Sequence, residues 1–303
     1  MGRTQQAHMD VSNTVDVSDP LAVSVAVRDI LTGCYPDYDF SAVDALIEDF
    51  SRLYRGYFPG FNACDIGYHD MQHVLDVTLA MARLLDGHDR GKLADLYLGP
   101  DLALAGIAAA LFHDSGYIRR IRDSRNKNGA AYTRVHVSRS ARFLAEYLPQ
   151  SAAFPVTGVC TRIVHFTGYE IDPSDIPVAD ARERRLGELL GTADLIAQMA
   201  DADYTRKCRE HLYEEFRIGG LAGEHVSQYA GATVFRSPQH LLESTPDFMR
   251  NAVSLRLEGH FGGAFQFAAV HFGGENLYMD AIQRNCLALE AELAGIGASV
   301  VIP

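Results

Sequence analysis

The chain has 303 residues and a formal charge of −12, which argues against broad contact with a nucleic-acid polymer, since that needs basic surface. It leaves a small anionic substrate open, because local potential matters more there than net charge. Five scattered cysteines (Cys34, Cys64, Cys160, Cys208, Cys286) without a CxxC pair, a polar N-terminus and no apolar run near the ~20 residues of a membrane span read as a soluble cytoplasmic protein with no membrane partner.

In chain order, residues 1–18 read as a flexible lead-in. Asp19 as N-cap and Pro20 at the first helical position open a helix in "SDPLAVSVAVRDIL". A second helix follows in "DFSAVDALIEDFSRLYRGYF", where Val43, Leu46, Ile47, Phe50, Leu53 and Tyr54 recur at three- and four-residue steps. Further helical patterns cover roughly 69–86, 101–114, 132–148, 156–167, 181–200 and 203–217. The Gly-rich stretch 218–239 is irregular, a lid or a surface loop. Thr245 and Pro246 look like the N-cap and first residue of a helix running to about Leu257, and a last helix is expected over 275–294. Alternating strand patterns are scarce, so the expectation is an all-α bundle of about ten helices forming one domain over 19–303.

Ionisable residues interrupt the apolar faces. "AALFHDSGY" ends the apolar run Leu102–Phe112 on His113 and Asp114, and a buried carboxylate is costly unless something positive meets it. "GYHDMQHVLDV" places His69 and His73 at i and i+4, on one helical face and about one turn apart. His136 lies between two valines, His165 ends "VCTRIVHF", and Asp194 and Gln198 share the helix "LLGTADLIAQMA". Taken singly, a histidine such as His136 is an ordinary hydrogen-bonded core residue. Jointly, the unpaired groups would carry a heavy desolvation penalty, which one or two divalent cations would resolve.

The ordered set His73, His113–Asp114, Asp194 resembles the H…HD…D signature of the HD-domain superfamily of metal-dependent phosphohydrolases, over about Tyr68 to Gln198. Tyr68-His69 followed by His73 and Val77 looks like the YHxxxHxxxV opening of the cyclic-nucleotide phosphodiesterases. His136 and His165 are similar to the extra histidines of HD-GYP phosphodiesterases and of mixed-valent diiron oxygenases such as myo-inositol oxygenase. The resemblance implies a bundle with a metal-binding core over about 66–217 and a helical extension over 218–303. It implies one metal on His73, His113, Asp114 and Asp194, a second on His136, His165 and a bridging Asp114, and His69 as proton donor. Asp114 and His69 would then be the catalytic pair.

The implied reaction is hydrolysis of a phosphodiester or nucleotide, with a cyclic nucleotide among the candidates, by a metal-activated water. The alternative is a diiron oxygenase acting on a small organic substrate. The nitrogen and oxygen ligands suit Fe, Mn, Zn, Ni or Mg without choosing among them. The segment Arg119–Arg142 holds eight basic residues against Asp123 alone and is expected to steer an anionic, phosphorylated substrate. Tyr117 and Gln198 are the candidate substrate-binding residues. The chain departs from the family at Tyr117, where many relatives carry Lys or His, and it lacks the GYP signature and a QxxF after Asp194.

Overall fold

Helix starts follow the side chains able to cap them. In the computed structural model, which describes residues 6–91, 96–223 and 235–299, Asp19 accepts a hydrogen bond from the Leu21 amide and opens α1 (Pro20–Cys34). α2 (Ala42–Tyr54) comes next, burying the apolar stripe read from its periodicity. Asp70 accepts from the His73 amide and opens α3 (Met71–Arg90). α4 is Pro100–Phe112, α5 is His136–Tyr147 and α6 is Thr157–Ile163. Asp180 caps α7 (Ala181–Ala200) through the Glu183 amide. α8 (Tyr204–Lys207) and α9 (Tyr213–Ile218) are joined by π-helical turns over Cys208–Leu212. α10 (Pro238–Asn251) runs into a π-helical segment, Ala252–His260, and α11 (Phe267–His271) and α12 (Leu277–Ser299) complete the chain. No β-strand occurs among the described residues, only isolated bridges.

α3 is the axis of the bundle. Every side chain from His73 to Asp89 is buried, and α7, α11, α1 and α4 pack around it. A helix covered on all sides must satisfy its polar residues internally. Arg83 does so in part, its Nη atoms bonding Asp10, Ser12 and the Tyr278 hydroxyl while Nε makes no hydrogen bond, and His88 pairs through Nδ1 with Asp89.

Three expectations are corrected. Residues 6–18 do not stand off as a lead-in, because Val11 and Val17 join the core and Asp10 is fully buried against Arg83. His69 is not on a helical face with His73, because the Asp70 cap starts the helix at Met71 and leaves His69 in the preceding loop. Thr245 and Pro246 do not open a helix. Ser237 accepts from the His240 amide with Pro238 behind it, so the start falls eight residues earlier and Pro246 lies inside α10. Most of the 218–239 stretch lies outside the described residues.

Candidate metal centre

Four helices deliver ionisable side chains to one buried point. His73 comes from the first turn of α3, His113 and Asp114 directly follow α4, His136 opens α5, and Asp194 sits inside α7. After Asp114 the chain turns tightly through Ser115–Tyr117. That turn needs Gly116, since a Cβ there would lie 1.8 Å from the His136 carbonyl oxygen.

His113 Nε2 lies 3.2 Å from Asp114 Oδ2 and 3.7 Å from Asp194 Oδ1. His73 Nε2 lies 3.6 Å from Asp114 Oδ2 and 3.4 Å from Asp194 Oδ1. His136 Nε2 is 3.7 Å from the other Asp114 oxygen, Oδ1. Asp114 thus presents Oδ2 to His73 and His113 and Oδ1 to His136.

Local backbone orients the rings. The Nδ1 atoms of His113 and His136 each lie 2.7 Å from a carbonyl oxygen, of Ala110 and Thr133 respectively. A carbonyl only accepts, so Nδ1 donates and Nε2 is directed at the carboxylates, the arrangement that metal-binding histidines adopt. His113 Nε2 and Asp114 Oδ2 are buried without a hydrogen-bond partner. Unpartnered buried polar atoms are costly, and here they converge with His73 so that ligand atoms of the three residues lie within 4.8 Å of one another. These residues could hold a divalent metal ion, and the nitrogen–oxygen donor set fits one.

Burial opposes a charge on His113, but the Asp114 and Asp194 carboxylates outweigh it and raise its pKa to about 9. Burial likewise opposes the Asp114 carboxylate, yet His113 and His69 hold it far below the usual carboxylate range. Burial lowers the pKa of His136 and His165.

His69 stands beside the cluster rather than in it. Its Nδ1 is 2.7 Å from Glu215 Oε2, and the other Glu215 oxygen accepts the Tyr68 amide. Burial disfavours the His69 imidazolium, but Glu215, then Asp114 and Asp194, raise its pKa to about 9. The Tyr117 ring stacks on His69 at 4.6 Å and on His136 at 4.4 Å between centroids.

A cavity of about 490 Å³ opens onto this arrangement, with His69, Asp114, His136 and Asp194 on its floor. Tyr117 and Gln198 line it, and Gln198 accepts from the Tyr68 hydroxyl. Its walls are mainly aromatic and aliphatic, and those beyond residue 218 come from Leu221, Phe235, Leu241 and Phe248 among others.

Of the eight basic residues of the segment Arg119–Arg142, Arg134 alone lines the cavity, where it also donates to the Gly220 carbonyl. Arg119 pairs with Asp65 and Arg120 with Glu146, while Arg139 bonds the Gly116 carbonyl, so three of the eight side chains are engaged by tertiary partners. His165 is not drawn into the cluster. No carboxylate of the described residues lies within ion-pair distance of it, and its buried Nδ1 has no hydrogen-bond partner. The residue that sequence reasoning missed is Glu215. It sits in a Glu-Glu doublet whose first member, Glu214, makes an ordinary surface pair with Arg217, so nothing local distinguishes the second.

The chain matches no protein-family model and no curated protein.

Proposed function

We propose that the protein is a metal-dependent phosphohydrolase acting on a phosphodiester or nucleotide. The observation that carries this reading is the convergence of His73, His113 and Asp114, whose buried Nε2 (His113) and Oδ2 (Asp114) lack a hydrogen bond, beside a cavity that Asp114 lines together with a carboxylate-backed histidine. His73, His113, Asp114 and Asp194 would hold one cation, and His136 together with Asp114 would serve a second. When bound, such cations supply a water of lowered pKa and neutralise charge on the phosphoryl oxygens.

The chain's own residues do the rest. Glu215 fixes the His69 ring and stabilises its imidazolium, so His69 carries a proton at neutral pH. With Nδ1 committed to Glu215, Nε2 delivers that proton to the oxygen leaving phosphorus. The buried helix packing behind His73 and His113 keeps bulk water off the ligands, while the apolar cavity walls accommodate the ester substituent.

The test is elemental analysis beside a hydrolysis screen of bis(p-nitrophenyl) phosphate, p-nitrophenyl phosphate and cyclic nucleotides. Metal is expected to co-purify, to be lost in Asp114→Ala, and to be retained in His69→Ala with turnover reduced about 10²–10⁴-fold. Full metal occupancy in Asp114→Ala would overturn the bridge. Iron with oxygen-dependent consumption of a substrate and no ester hydrolysis would overturn the reaction.

A further inference from the structure

Arg256 is a buried cation that forms no ion pair among the described residues. It projects from the π-helical segment Ala252–His260 and retains 9% of its surface exposure. Nη2 donates to the carbonyls of Phe166 and Gly168 at 3.1 and 2.9 Å, and the buried Nε has no hydrogen-bond partner among the described residues. Among the described residues no carboxylate lies within ion-pair distance of it, and its other neighbours are the rings of Tyr169 and Phe261, 4.3 and 5.1 Å from the guanidinium carbon. Charged side chains at such burial are ordinarily paired with an opposite charge.

The guanidinium lines a second cavity of about 460 Å³. Residues spaced three or four apart along α10 and the π-helical segment, Phe248, Asn251, Leu255 and, further on, His260, form one wall, and the loop Tyr169–Pro173 forms the other. Most of this lining is apolar. Departures from α to π geometry inside helices are frequently found at functional sites, and this one carries the unpaired arginine. Asp172 also faces the cavity, but its Oδ1 is occupied by the Ser174 amide and hydroxyl. The two cavities are neighbours, sharing Tyr169 and Phe248 as a common wall.

We propose that this cavity binds a small organic anion, with a carboxylate or phosphate head on Arg256 and an apolar body against Leu255, Phe248 and Pro173. A planar anion would meet the guanidinium from the cavity side, the kind of recognition for which guanidinium geometry is suited. None of the metal-ligand candidates lines this cavity, although Asp194 is close enough to act on the Arg256 charge, and the proposal does not depend on the hydrolase reading.

Isothermal titration with benzoate, phenyl phosphate and benzyl alcohol tests it, carried out on full-length Asp114→Asn protein so that no probe is turned over. Both anions are expected to bind one per chain at millimolar concentration or below, the tighter of them naming the head group, while the neutral alcohol binds far more weakly. Adding Arg256→Gln should weaken both anions about tenfold or more. Adding Asp172→Asn, an exposed position whose charge opposes an anion, should tighten them about two- to fivefold. The proposal is overturned if neither anion binds, if the alcohol binds as well as benzoate, or if Arg256→Gln leaves binding unchanged. Should Arg256→Gln fail to fold, the Asp172→Asn titration decides, and an unchanged affinity there sinks the idea.

Discussion

Glu215 shows how much one residue can determine without touching the cluster. Its carboxylate holds His69 Nδ1 and the Tyr68 amide at once, and removing its charge removes the largest influence favouring the imidazolium. In Glu215→Gln the His69 pKa therefore falls from about 9 toward its ordinary value. If protonated His69 is the acid, activity is lost as pH rises through that pKa. The alkaline limb of kcat/KM should then move to lower pH by about one to two units. A limb that stays in place would show that another group is the acid. His73, His113, Asp114 and Asp194 were legible from sequence because an ionisable side chain on an apolar helical face demands compensation wherever the helix packs. Glu215 was not, since its partner lies 146 positions away and only the tertiary fold selects it over Glu214.

At the scale of elements, the cluster depends on how closely two segments approach. The turn after Asp114 rests against the first turn of α5, with the Gly116 amide donating to Ser140 Oγ and the Arg139 side chain donating to the Gly116 carbonyl. A methyl group at Gly116 would meet backbone rather than a movable side chain, at 1.8 Å, so α5 must shift. Gly116→Ala is expected to cost about 1–3 kcal/mol, the range typical of overpacking. Because His136 moves with α5, metal content should fall along with the melting temperature. An unchanged melting temperature in calorimetry would mean that the contact is relieved by easy sliding.

The helices themselves were well anticipated where a cap and an apolar period coincide, as at Asp19 and along α2. The C-terminal region misled because it contains the cap-plus-proline signature twice, Ser237-Pro238 and Thr245-Pro246. Nothing within either pair says which one opens the helix. Tertiary packing buries Leu241, Leu242 and Thr245 together and so extends the helix back to the first. Thr245 donates its hydroxyl to the Leu241 carbonyl beside the break that Pro246 makes in the ladder. The π-helical turns at Cys208–Leu212 likewise shift the phase of α9, so a straight α period drawn from Tyr204 does not place Glu215.

Across the whole molecule the axis helix is braced at a point remote in sequence from the cluster. Arg83, on α3, bonds Asp10 at 2.6 Å and the Tyr278 hydroxyl of α12 at 2.9 Å, tying both ends of the described chain to the centre. Composition alone made residues 1–18 look like solvent-borne chain, because one aspartate in a polar stretch carries no mark of its partner. Burial raises the pKa of the Asp10 carboxyl, but Arg83, Ser12 and the Val15 amide outweigh it and hold the carboxyl below its usual range. A carboxylate whose pKa is depressed by folding adds stability that is present above its unfolded pKa and is lost as pH falls through the folded one. Asp10→Asn leaves Arg83 buried and charged, and should cost about 3–5 kcal/mol at neutral pH. The gap to the parent protein should narrow as the pH drops below about 4, where the parent begins to lose the same interaction. Urea melts at neutral and acid pH measure both quantities. A gap that is small at neutral pH, or one that stays constant into acid, would show that the N-terminal segment is held by Val11 and Val17 alone and that the Arg83 charge is compensated elsewhere.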